Sequence, residues 1–199
     1  MKRRSFLGAG SVLAVSSARA GGSNDEAPAA VAPGRRAIPN VEVWTHEGRK
    51  ARFYDDLVRG RSVTFNFMFT TCGGTCPLVT ANLRRVQELL SDRVGRDLFM
   101  YSLTLQPELE TPDVLKAYAE QNAVGPGWHF LTGAPADMER LRRALGFVSA
   151  DPELDVVADE HTGMLRYGND AIDRWSACPA AGRPEWIVKA VTTALTVAS

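Results

Sequence analysis

Apolar residues are densest in Ser-Val-Thr-Phe-Asn-Phe-Met-Phe (62–69) and again in Leu98 to Leu105. Short apolar runs bounded by turn residues predict strands buried on both faces. Between them Val79, Leu83, Val86 and Leu90 recur at helical spacing. Pro77 suits the first helical position, where its missing N–H is not needed. Strand, helix and strand together predict a parallel, right-handed unit.

The remaining pattern extends this unit in both directions. Val41 and Val43 alternate as in a short strand, His46-Glu47-Gly48-Arg49 reads as a turn, and Phe53 to Leu57 lead into the first buried strand. Thr111-Pro112-Asp113 is a helix start, with a hydroxyl cap, an early proline and an acid at the positive dipole end, and the helix runs to about Asn122. A Gly-Pro-Gly turn (125–127) precedes a strand at Trp128–Leu131. A helix over 136–145 presents Met138, Leu141 and Leu145 and stops at Gly146. A strand covers 163–167, and Pro184 opens a last helix through about Val197. The fold class is α/β.

The start of the chain follows other rules. Lys2-Arg3-Arg4-Ser5-Phe6-Leu7, a short apolar stretch and Ala18-Arg19-Ala20 predict a cleavable twin-arginine signal over 1–20. Residues 21–37, rich in Gly, Ala, Pro and charge, predict a flexible linker, and 38–199 a single domain. No other segment is long and apolar enough to span a bilayer, so an exported, periplasmic protein with no integral span is expected. Removing four basic residues with the signal leaves 19 basic against 23 acidic residues, or −4, which argues against nucleic acid as a partner.

Candidate chemistry centres on Cys72-Gly73-Gly74-Thr75-Cys76-Pro77, where the buried strand breaks into a helix. In open α/β sheets, the carboxyl ends of strands favour ligand and redox sites. Unpaired N–H groups at a helix start favour thiolate there. Four-residue spacing, with two glycines to adjust the loop, lets two sulfurs form one disulfide or share one metal. A structural disulfide or two buried thiols is the plain alternative.

Of the three histidines, His46 reads as solvated and His129 as packed in a strand. His161, in the polar loop Asp159-Glu160-His161-Thr162-Gly163, is a candidate third ligand. Two thiolates and one imidazole suit copper, as Cu(I) or Cu(II), and leave zinc open. Cys178, near Trp175, reads as a small buried hydrophobe, with a resolving thiol or extra soft ligand as the functional alternative.

Four separated stretches resemble the Sco (SCO/SenC) family of copper chaperones. Phe65 to Pro77 resembles its strand and C-x-x-x-C-P element, and Tyr101 to Pro112 its second strand and "DPxxDTP" turn. Gly127-Trp128-His129-Phe130-Leu131-Thr132-Gly133 resembles its "GWxxLTG" strand, and His161-Thr162-Gly163 its histidine loop. The resemblance implies a thioredoxin-like domain with a central mixed sheet flanked by helices. It also implies copper held by Cys72, Cys76 and His161, and a copper-receiving subunit of cytochrome c oxidase as partner, through delivery to the dinuclear copper centre. A thiol–disulfide oxidoreductase, with Cys72 and Cys76 as redox pair acting on the target's cysteines, is the competing expectation. A copper or redox sensor is a third. The acids of the turn stand here as Gln106 and Glu110, a cleavable signal replaces the family's frequent membrane anchor, and Cys178 lies outside its ligand set.

Overall fold

A computed structural model of the chain describes residues 38–74, 76–149, 151–155 and 163–195. The signal and linker expected over 1–37 lie outside the described residues, as does His161.

Seven strands form one mixed sheet in the order β2-β1-β5-β4-β3-β6-β7. They are β1 (Glu42–Thr45), β2 (Lys50–Arg52), β3 (Ser62–Met68), β4 (Leu98–Thr104), β5 (Trp128–Gly133), β6 (Met164–Asn169) and β7 (Arg174–Pro179). The apolar run at 62–68 becomes β3, flanked by β4 in parallel and β6 in antiparallel. β4 and β5 are also parallel, while β1 and β7 pair antiparallel with their neighbours.

Alternation along the strands divides the interior into two apolar layers. Val63, Phe65, Phe67, Tyr101, Leu103 and Leu131 point to one face, where helix α3 (Pro135–Ala144) and a π-helical turn (Phe53–Val58) cover them. On the other face α1 (Cys76–Leu89) contributes Val79, Leu83 and Val86. Helix α2 (Pro112–Gln121) adds Leu115 and Ala119, and α5 (Pro184–Leu195) adds Ile187 and Val191. Each buried Val, Leu, Ile or Phe side chain among them contributes about 1.5–3 kcal/mol by leaving water.

Polar groups inside this sheet are paired in sequence across strands. Trp128 Nε1 donates to Ser102 Oγ at 2.9 Å, and that hydroxyl donates to Asn66 Oδ1 at 2.7 Å. Asn66, which interrupts the apolar run of β3, is thus satisfied by β4. The Gly-Pro-Gly turn is equally specific: Gly127 has φ +82°, and a Cβ there would fall 2.3 Å from the Gly95 nitrogen. Only glycine fits.

Most expected elements stand where the pattern put them, and Thr111 caps α2 by accepting from the Val114 N–H. Three elements differ from the expectation. Helix α1 begins at Cys76, so Pro77 is its second residue. Strand β5 extends to Gly133 because β1 continues to pair with it. The third is β7, an edge strand with an exposed-to-intermediate burial pattern, which gives no apolar signal. After α3, the short helix α4 (Pro152–Asp155) leads toward the stretch that contains His161. Among the described residues no helix is long and apolar enough to cross a membrane.

Candidate metal and thiol site

The parallel register of β3 with β4 brings their carboxyl ends together, and both cysteines follow there. Leu105 N–H donates to Met68 O at 2.9 Å, and Cys72 N–H turns back to Phe69 O at 3.3 Å. Cys72 is 7% exposed and Cys76 1%, and both belong to the apolar layer beneath α1 and α5. Gly73 and Gly74 form the bend between them. A Cβ on Gly74 would lie 3.9 Å from the Cys72 sulfur, while one on Gly73 would meet open space. The Gly74 end of the loop therefore lies against the Cys72 sulfur, while Gly73 faces open space.

Tyr118, on α2, faces the same place. Its hydroxyl is 2.8 Å from Thr80 Oγ1 on α1. Burial pushes the phenol's pKa up; the Thr80 bond opposes this, and the charges of Cys76, Cys72 and Glu110 add to it. Tyr118, Thr80 and Glu110 are the members of this site that the chain's pattern does not single out as chemistry. Tyr118 lies three residues after Leu115 and reads as helix face, and Glu110 reads only as a departure in a turn.

The other candidates divide. His129 is packed, as expected: its side chain is 19% exposed, and its ring stacks on Tyr101 at 6.2 Å. Its Nδ1 lies 3.5 Å from Glu47 Oε2 and has no hydrogen bond among the described residues. His46, expected to be solvated, is instead half-buried. Its Nδ1 accepts from Phe130 N–H at 3.1 Å, and its ring centroid is 5.8 Å from that of His129. The turn carries His46 beside β5, which the polar sequence around it conceals. Burial lowers the pKa of both imidazoles.

Cys178 is a half-buried thiol in β7 opposite Leu165, packed against the layer that holds Cys72 and Cys76. Burial raises its pKa. Trp175 points to the opposite layer and stacks on Phe65 at 6.1 Å, because residues three apart on a strand face opposite sides. Cys178 therefore does not pack beside Trp175; its apolar setting supports the small-hydrophobe reading.

A buried ion pair sits ahead of the His161 stretch. Arg142 donates to both carboxylate oxygens of Asp155, at 2.9 and 3.0 Å, and to Phe147 O at 2.6 Å. Asp155 also accepts from Ser149 N–H at 2.7 Å, and Arg142 holds its carboxyl well below the usual range. Separately, an open apolar groove of about 790 Å³ runs between β6, β7 and α5, lined by Tyr167, Trp186 and Ala190 among others; neither cysteine of the pair lines it. Among the described residues no three His, Cys, Asp or Glu side chains are grouped to hold a metal ion.

Known proteins resemble this chain in sequence and in fold. The SCO1/SenC family model matches residues 42–169. A Stutzerimonas stutzeri protein named for copper binding is 30% identical over 143 residues, which cover 71% of this chain and 68% of that one. The solved structure of BsSco, named as a member of the Sco family of cytochrome c oxidase assembly proteins, superposes with a TM-score of 0.64 at 21% identity, covering 80% of this chain and 94% of that one. Arabidopsis thaliana ScoI, solved with copper bound, gives a TM-score of 0.62 at 16% identity over 80% and 98% of the two chains. These structures share the thioredoxin-like fold of the expected domain. The chain belongs to the SCO1/SenC family.

Proposed function

We propose that this chain is a periplasmic copper-binding metallochaperone. It takes one copper ion as cargo through Cys72, Cys76 and His161, and delivers it to the dinuclear copper centre of cytochrome c oxidase. One observation carries the reading: two cysteines, both buried, leave the central strand through one glycine loop. Such a soft, low-coordinate donor set fits copper far better than a hard cation. The copper-binding name of the Stutzerimonas relative and the copper in the Arabidopsis structure support the cargo. The description of BsSco supports the oxidase as recipient. Export by the twin-arginine start would place donor and recipient on the same side of the membrane.

Copper titration of the reduced chain without oxygen, with spectra taken after adding Cu(II), tests this reading. One equivalent bound, with an intense sulfur-to-copper band that His161→Ala abolishes, is expected. No uptake by the reduced chain refutes it.

The same thiols support a second reading, a thiol–disulfide oxidoreductase that reduces the cysteines of the copper-site protein. The loop favours it: Gly73 has open space around it, so the bend can adjust as sulfurs bond and part. A reduction potential within the range of exchange enzymes, with fast reduction of a target disulfide and weak copper binding, would select it.

A further inference from the structure

Residues 106–110 make the turn from β4 into α2, and Glu110 at its end is 2% exposed. A carboxylate is costly to bury unless both oxygens are paired. Here Oε1 accepts from the backbone N–H of Thr70, and Oε2 accepts from the Thr104 hydroxyl at 2.5 Å. Thr104 Oγ1 in turn accepts from Gln106 N–H at 2.8 Å, and Glu110 N–H donates to Gln106 O at 2.9 Å. One side chain thus ties the end of β4 to the residue two before Cys72. Cys72 N–H bonds back to Phe69 O, so the backbone presenting its sulfur is held at Phe69 and at Thr70.

We infer that Glu110 is a positioning residue of the thiol site. Its carboxylate fixes the Thr70–Cys72 backbone, and with it the Cys72 sulfur. The role toward copper rests on the function proposed above; the hold on the backbone does not. An acid that merely joined two strand ends would lower stability on removal without moving the sulfur.

Glu110→Gln and Glu110→Ala in the full chain separate these cases. Amide hydrogen exchange of the metal-free proteins reads the anchor. Glu110→Ala is expected to speed exchange at residues 70–72 at least about tenfold relative to the β3 and β4 amides, by local opening. Glu110→Gln, whose amide offers one acceptor oxygen, should speed it a few-fold. In the copper-loaded proteins, Glu110→Ala should shift the sulfur-to-copper band and weaken copper binding about 10–100-fold, as loss of a supporting partner does. Glu110→Gln should keep the band nearer its original position and weaken binding less.

Unchanged exchange at 70–72 in both variants overturns the anchor, as does a uniform rise across the whole chain. Faster exchange with band and affinity unchanged overturns the effect on the sulfur. If Glu110→Ala does not fold, Glu110→Gln reads both quantities alone. If the wild-type chain binds no copper, the chaperone reading fails, while amide exchange still decides whether Glu110 holds the loop.

Discussion

Cys72 and Cys76 leave the carboxyl end of the central strand on a glycine loop, whereas His46 and His129 meet beside β5 between the turn after β1 and the sheet. Both regions carry side chains that bind soft or borderline metals. In the first, the backbone is anchored by a buried acid and Gly73 in the loop faces open space. In the second, the lone pair of His46 Nδ1 is taken by the Phe130 N–H, and the His129 ring is stacked on Tyr101. A neutral imidazole whose one acceptor nitrogen serves the backbone has no lone pair left for a metal. Residue type marks both regions as candidates; hydrogen bonding and position separate them.

The sharpest way to break this contrast is to exchange the ligands. Cys72→Ser or Cys76→Ser should weaken copper binding by more than about 100-fold, exceeding the cost of losing a supporting partner. His46→Ala and His129→Ala should each leave copper affinity within about twofold. Equilibrium dialysis of the four variants would reveal a misassigned site if the order were reversed.

The layer beneath the histidines should answer in stability instead. Phe65 is fully buried and stacks between Tyr101 and Trp175. Phe65→Ala should cost about 3–5 kcal/mol in chemical denaturation, by lost transfer energy and the cavity left behind.

Acid should weaken the histidine region specifically. Both imidazoles have pKa values below 6.5, with burial the main cause; Glu47 opposes it at both. The unfolded chain therefore binds protons first as pH falls. Stability from the neutral pair is full above about 6.5 and declines as pH drops toward the folded values. Urea midpoints of the metal-free protein should fall between pH 7 and 5, and less steeply in a His46→Ala, His129→Ala double variant. An equal slope would remove the histidines as the cause.

The smallest expected effect is at Tyr118. Tyr118→Phe removes the bond to Thr80 and should cost about 1 kcal/mol. Copper affinity should change little, since the phenol adjoins the thiols without holding cargo.

Much of this was legible because the signals were periodic. The apolar runs of β3 and β4, the helical spacing of α1 and the Thr111 cap all follow from short-range pattern. β7 was not, because an edge strand needs no apolar alternation on its outer side. Likewise, His46 looks solvated from its neighbours, yet a strand paired from 84 residues away covers it. Glu110 shows the same limit at the site. Its partners are 40 residues back and six residues back, and only the parallel register of β3 and β4 makes them adjacent. The cysteine pair was visible because its chemistry, its glycines and its strand-to-helix position coincide in six residues.

Whether Cys72 holds the copper is decided by stoichiometric titration of the reduced chain, read by the sulfur-to-copper band in wild type, Cys72→Ser and His46→Ala. One equivalent is expected in wild type and in His46→Ala, with the band intact, and loss of both in Cys72→Ser. A band that survives in Cys72→Ser and disappears in His46→Ala would place the copper at the histidines instead.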